Sequence, residues 1–223
     1  MPVSFTIERK KMNFYGKRVL FIGAHPDDIE LGAGALIHNI QPHCKVTCVT
    51  LSDNRKNPDL KNLIPEHYAS MKVLGVPREN VNIESFDTRY MPEHRQEILE
   101  YLLKLRKEIQ PDIIFTHSEE DIHQDHNAIT REALRAYRGI TVLGFDVVRS
   151  SHGFFPNYFV EVTEEDVNKK IEALAQYKTY QNKYYFNPDL LRATMVRHGA
   201  LAEKPFAEGF DILRIIGEFK KCA

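Results

Sequence analysis

The chain has 223 residues, enough for one large domain with a sizeable buried core. Its 30 lysines and arginines nearly cancel 31 aspartates and glutamates, so no global field would draw it to nucleic acid or to an anionic membrane, and neither is expected as a partner. Three cysteines, Cys44, Cys48 and Cys222, are too few for a secreted disulfide framework, and the N-terminus lacks the charged-then-apolar pattern of a signal peptide. No apolar run approaches the roughly 18 to 20 residues of a membrane span, so a soluble, cytoplasmic protein is the expectation.

Residues 1–16, carrying the charged run Glu8-Arg-Lys-Lys11, read as an N-terminal arm ahead of a single domain over 17–223. Arg18 to Ala24 is a continuous apolar run of strand length, which suits a central parallel strand covered on both faces. Val46 to Leu51, Val81 to Phe86, Asp112 to Thr116 and Thr141 to Phe145 repeat the theme. Helical patterns lie between them at Ile29 to Asn39, Ile64 to Leu74, Glu93 to Gln110 and Asn127 to Tyr137; in the third, Ile98, Leu102, Leu105 and Ile109 recur at helical spacing before Pro111. After Gly144 come an aromatic loop, a strand over Asn157 to Val162, a helix opened by the capping box Thr163-Glu-Glu-Asp166, and a closing strand near Phe210 to Ile216. The alternation predicts an α/β fold: a Rossmann-like, doubly wound, mainly parallel sheet with helices on both faces and a small C-terminal β/α extension.

Ligands of such sheets bind where strands end at their carboxyl edge. Two strands here end in polar clusters. The first runs into His25-Pro-Asp-Asp28, and the fourth leads through Ser118-Glu-Glu-Asp121 into His123-Gln-Asp-His126. An imidazole and two adjacent carboxylates at one strand end resist burial unless a cation compensates them. A catalytic zinc takes three protein ligands and keeps a place for water, and His25, Asp28 and one histidine of the second cluster supply such a set. Zn²⁺ is therefore the expected cofactor, with another divalent metal as the alternative. Adjacent aspartates point apart, so one binds the ion while the other reaches the water as general base.

Ala24-His-Pro-Asp-Asp-Ile-Glu-Leu-Gly-Ala-Gly-Ala35, His123-Gln-Asp-His126 and Phe206-Ala-Glu-Gly-Phe210 together resemble the LmbE/PIG-L family of zinc-dependent N-deacetylases, over roughly Val19 to Ile216. The resemblance implies His25, Asp28 and His126 as metal ligands, Asp27 as general base, and His123 as a transition-state group held charged by Asp125. It also implies a sugar contact at Asp87. Many members carry an arginine on the helix before the position of Glu66; here Leu63 and Ile64 stand in its place, and Arg55, just past the second strand, is the candidate replacement. His152, in the aromatic loop, is a further candidate substrate contact; His117, at the end of the fourth strand, is a weaker one.

The function implied is removal of acetyl from an N-acetylated amino sugar or glycoside, a small-molecule partner of the N-acetylglucosamine kind. Two alternatives keep the same residues. A non-haem iron oxygenase uses two histidines and one carboxylate but needs no base such as Asp27, and a non-catalytic sugar-binding module would tolerate its loss. The tyrosine-rich stretch Tyr177, Tyr180, Tyr184, Tyr185 would serve as core, sugar platform or homo-oligomer contact. His43, Cys44 and Cys48 are read as packing residues rather than ligands, and Gly32 and Gly34 as unrelated to a dinucleotide loop, since carboxylates occupy the strand-to-helix turn.

Overall fold

A computed structural model describes residues 12–217. Most of the expected arm, and Cys222, lie outside that range; at the arm's described end Met12 and Phe14 pack against the core. The apolar run of Arg18–Gly23 forms β1, and its period-two alternation feeds two cores. Val19 and Phe21 face one and Leu20 and Ile22 the other, which is why the run has no polar position. β2 (Lys45–Thr50), β3 (Val81–Ile83), β4 (Ile113–His117) and β5 (Thr141–Phe145) complete the parallel part of the sheet.

Helices α1 (Asp28–Ile40) and α2 (Leu63–Val73) cover the first face, and α3 (Arg95–Ile109) and α4 (Gln124–Ala136) cover the second. Beyond β5 the chain forms β6 (Tyr158–Glu161), α5 (Glu164–Leu174), α6 (Pro188–Leu201) and β7 (Ala207–Arg214). The C-terminal extension is not a separate layer. β7 pairs antiparallel with β5, and β6 with β7, to give one seven-stranded sheet of order β3-β2-β1-β4-β5-β7-β6. The expected capping box opens α5, Thr163 Oγ1 accepting from Asp166 N.

α1 is broken within its own length. Ala33 leaves helical geometry (φ −143, ψ 18), and the groups so freed are met by a buried ion pair. Glu208 of β7 accepts from Ala35 N (3.1 Å) and Leu36 N (2.7 Å), while Lys170 of α5 donates to Leu31 O (2.6 Å) and to Glu208 (2.7 Å). A helix stub that would leave backbone donors orphaned in the core is thereby capped from two other elements. Gly32 lies in the same turn, where a Cβ would fall onto the ring of Phe145. The break thus lets the first turn of α1 press on β5 at the carboxyl end of the sheet.

Candidate functional site

The winding of the sheet reverses at β1, which has β2 on one side and β4 on the other, and both polar clusters emerge at this switch point. Neither aspartate after β1 caps α1 with its side chain. Asp27 holds the N-cap position at φ 103, a backbone region that non-glycine residues rarely adopt, and makes no capping bond. Asp28 instead folds back, Oδ2 accepting from His25 N at 2.8 Å.

Three atoms then converge. His25 Nδ1 lies 3.4 Å from Asp28 Oδ2, His126 Nε2 lies 3.3 Å from the same oxygen, and the two nitrogens are 3.4 Å apart. The far nitrogen of each ring is tied to a buried carboxylate: His25 Nε2 to Asp125 Oδ2 at 3.0 Å, and His126 Nδ1 to Asp121 Oδ2 at 2.8 Å. A carboxylate only accepts, so each far nitrogen carries a proton and each near nitrogen presents a lone pair. Two lone pairs and a carboxylate oxygen facing one point require a cation. Ligands about 2.0–2.1 Å from a tetrahedral zinc stand about 3.3–3.4 Å from each other, the spacing these atoms keep. The donor set therefore fits the ion.

His117 also approaches, with Nε2 at 3.5 Å from Asp28 Oδ2, and Asp28, His117 and His126 form a second convergent trio. That nitrogen, however, already accepts from Ala24 N at 3.0 Å, so its lone pair is spent and His117 serves as a buried wall stacked on His126 at 3.8 Å.

Without an ion, protons take up the strain. Burial works to lower the His126 pKa, but Asp28 and Asp121 outweigh it and carry it up to about 10. For Asp28 burial is likewise overcome, by the imidazoles of His126 and His117, and its pKa falls well below the usual range. Asp27 goes the other way: burial, then the charges of Asp28 and Glu30, push its carboxyl well up. Glu30 is fixed below it by Tyr177 Oη at 2.6 Å and His67 Nδ1 at 3.1 Å.

One expected pairing is corrected. Asp125 does not hold His123 charged; its carboxylate belongs to His25, Arg89 N and Met91 N, and its own backbone N–H donates to His123 Nδ1 at 3.2 Å. His123 caps α4 in that way and is left with Nε2–H as its donor. Burial, with His126 and His25 as like charges, lowers its pKa to about 4, so it is a neutral imidazole. An ion among the three acceptors would push the same way.

A cavity of about 260 Å³ opens over this centre, with His25, Asp27, Asp28 and His123 at its base. The three sequence candidates for its substrate wall are not brought to it. Arg55 is clamped to Asp53 through Nε at 2.6 Å, its side chain 66% exposed; Asp87 is paired with Lys56; His152 is exposed beyond the turn at Ser150. In their place stand Asn54, Thr88, Arg89, Arg149, Tyr180 and Tyr185. Arg149 lies 5.4 Å over the Tyr185 ring and near enough to Asp27 and Asp28 for their charges to raise its pKa against the pull of burial. Of the tyrosine-rich stretch, Tyr177 is core, Tyr180 and Tyr185 line the cavity, and Tyr184 is exposed. Asp121 was not singled out from sequence, although it sits in the loop after β4, five residues before His126.

Fold and site define an α/β protein with a His/Asp centre, fit for a divalent metal, at the switch point of its sheet. The chain belongs to the PIG-L family, whose model, described as GlcNAc-PI de-N-acetylase, matches residues 20–137. The uncharacterized deacetylase YaiS of Escherichia coli (strain K12) is 30% identical over 172 residues, which cover 73% of this chain and 91% of YaiS. Among solved structures, N,N'-diacetylchitobiose deacetylase from Pyrococcus horikoshii superposes with a TM-score of 0.74 at 21% identity, covering 88% of this chain and 84% of that one. The conserved protein TT1542 from Thermus thermophilus gives 0.73 at 19% identity over 91% and 97%. At such identities these two structures speak for the fold. Among the described residues no helix is long and apolar enough to cross a membrane.

Proposed function

We propose that the protein is a metal-dependent N-deacetylase that hydrolyses the acetamide of an amino sugar or glycoside. The observation that carries the reading is the convergence of His25 Nδ1, Asp28 Oδ2 and His126 Nε2 beside a fourth, uncommitted and buried carboxylate, Asp27. Zinc bound by those three residues would polarise the acetyl carbonyl and make water acidic enough to react near neutral pH. Asp27, with its pKa raised, is matched to taking the proton as the water oxygen bonds to the carbonyl carbon. His123 lines the cavity with Nε2–H as its donor, suited to the oxygen that gains negative charge. With its pKa at about 4 His123 carries no second proton to give near neutral pH, so the proton on Asp27 passes to the nitrogen as the C–N bond breaks. Acetate and a free amine result.

The sugar part rests on relatives. The family model is described by a de-N-acetylase of a GlcNAc conjugate, and the Pyrococcus protein is a diacetylchitobiose deacetylase. An oxygenase with the same ligand trio has no use for Asp27, and a binding module has none for its raised pKa. Zinc-loaded protein is expected to release acetate from members of a panel of N-acetyl glucosaminides. Asp27→Asn should lower kcat by about 10²- to 10⁴-fold at unchanged metal content. No acetate from any member of the panel, or full turnover by Asp27→Asn, overturns the reading.

A further inference from the structure

We propose that Leu31 is the residue that confines the acyl group to acetyl: with Val147 it closes the apolar side of the catalytic cavity, and it keeps a second cavity behind it out of reach. This rests on the deacetylase reading and adds the size of the acyl group to it. Helical spacing sets Leu31 beside the reacting groups. It follows Asp28 by three residues and Asp27 by four at the start of α1, so its side chain shares their face. Its backbone is held on both sides: N donates to Asp27 O at 2.9 Å, and O accepts from Lys170 Nζ at 2.6 Å, just ahead of the break at Ala33. Val147 is fixed as firmly, its carbonyl accepting from Ser150 N at 2.8 Å and Ser151 N at 3.1 Å. Both side chains are buried and belong to the core that α1 shares with the sheet.

The wall of the catalytic cavity is mostly polar. Its aliphatic residues are Leu31, Val147 and Leu60, and Leu60 also lines a groove of about 630 Å³ that adjoins the cavity on its outer side. An N-acetyl sugar has one apolar part at its reacting end, the acetyl methyl, and buried aliphatic carbons are what it gains by touching on leaving water. Leu31 and Val147 offer that surface next to Asp27 and Asp28. A side chain packed into the core on its far side does not yield to a longer acyl group without displacing its neighbours.

Behind this wall the molecule has room that the wall withholds. A second, small cavity of about 30 Å³ is lined on its apolar side by Val148, Leu190, Leu191 and Met195. Leu31 is the single described residue that lines both cavities, and the next residue after Val147 lines the second. The Leu31 side chain is therefore the partition. Cutting it back to alanine removes the isopropyl group and joins the two spaces, which gives an acyl chain longer than acetyl an apolar place to lie.

The test compares zinc-loaded wild type with Leu31→Ala, Leu31→Val and Leu60→Ala. The probes are glucosamine carrying an N-acetyl, N-propionyl or N-butyryl group, read as kcat/KM for release of glucosamine, and acetate, propionate and butyrate, read as calorimetric Kd for the loaded protein. One methylene in an apolar pocket counts for roughly 10- to 200-fold, so wild type should favour acetyl over butyryl by about 100-fold or more. Leu31→Ala should cut that ratio by at least about tenfold and Leu31→Val by less, with the acetate-to-butyrate Kd ratio moving the same way; Leu60→Ala should leave both ratios at the wild-type value. A ratio is taken on one folded sample, so lost stability does not imitate the effect, and Leu31→Val carries the test if the alanine variant fails to fold. Equal handling of acetyl and butyryl by wild type overturns the inference, as does a ratio that survives both Leu31 variants or falls as far in Leu60→Ala. Release from none of the three sugars sinks the deacetylase reading instead, and the Kd ratio alone then decides for or against Leu31.

Discussion

Replacing Asp125 with asparagine should weaken zinc binding about ten- to hundredfold, or ~1.4 to 2.7 kcal/mol, without touching a proposed ligand. The wild-type carboxylate accepts His25 Nε2 at 3.0 Å and Arg89 N at 2.6 Å on Oδ2, and Met91 N at 3.2 Å on Oδ1. Asparagine has one acceptor oxygen for these three donors. If that oxygen faces His25 and Arg89, the amide NH₂ meets Met91 N–H, donor against donor. If it is flipped, Met91 is served, but the NH₂ meets Arg89 N–H and turns His25 Nε2 into an acceptor. The ring proton then moves to Nδ1, the nitrogen that must offer its lone pair to the ion. Either arrangement costs a bond, and both remove the negative charge that makes His25 a stronger base. Competition against a chromophoric chelator at fixed pH measures the affinity, with circular dichroism to confirm the fold. Asp121→Asn, behind His126, is the companion and should lose a similar factor. Affinities within twofold of wild type for both variants would refute the assignment of these aspartates as supports of the metal ligands.

Three further outcomes follow from the same geometry. Metal binding should release a proton from His126, whose pKa stands at about 10 without an ion, and draw further on His25, whose hydrogen bonds to Asp125 and Asp28 raise its pKa against burial, so zinc affinity should rise by about tenfold or more per pH unit around neutral pH; calorimetry in buffers of different ionisation heat counts the protons, and a flat profile between about pH 6 and 8 would contradict it. Lys170→Met leaves the Glu208 carboxylate buried without its cation and Leu31 O without its donor, a loss of about 3–5 kcal/mol of stability in urea unfolding, and a double-mutant cycle with Glu208→Gln should show strong coupling. His198 is held neutral because burial, then Lys170 and Arg197, lower its pKa to about 4. Below its unfolded pKa of about 6.5 the unfolded chain takes a proton that the fold refuses, so this histidine costs up to about 2–3 kcal/mol of stability as pH falls from 6.5 to 4, and His198→Gln should be least destabilising relative to wild type at the acid end.

The parts of this molecule that read directly from sequence are those whose signal is local. β1 is legible because a strand covered on both faces has no polar position. The His25-Pro-Asp-Asp28 and His123-Gln-Asp-His126 clusters are legible because each follows a strand at the edge where ligands bind. α6 carries start signals in Asn187, which accepts from Asp189 N, and in Pro188 at the first turn. It escaped a hydrophobic-period reading because its buried face includes His198 and Gly199 beside Leu191 and Met195. The outer wall of the site is less legible for another reason. Arg55, Asp87 and Arg149 all sit on loops, and which of them turns inward depends on local partners: Asp53 takes Arg55, Lys56 takes Asp87, and Arg149 lies over Tyr185 on the cavity wall.

The reassignment of Asp125 shows where pattern and geometry part. In His123-Gln-Asp-His126 the aspartate lies two residues from one histidine and one from the other, and adjacency suggests that it serves a neighbour. On the first turn of a helix whose N-cap is His123, however, the backbone N–H of Asp125 is what meets the His123 ring, and its carboxylate points across to the next strand end. That one exchange settles two protonation states. His25 holds a proton on Nε2 and turns Nδ1 towards the cation site, while His123 accepts a backbone N–H at Nδ1, and burial with the like charges of His126 and His25 keeps it neutral against the pull of Asp125. The second cluster thus completes the first in two ways, through the lone pair of His126 and through the carboxylate of Asp125. His25 is held from both strand ends at once, which is why neither cluster alone is enough to specify the centre.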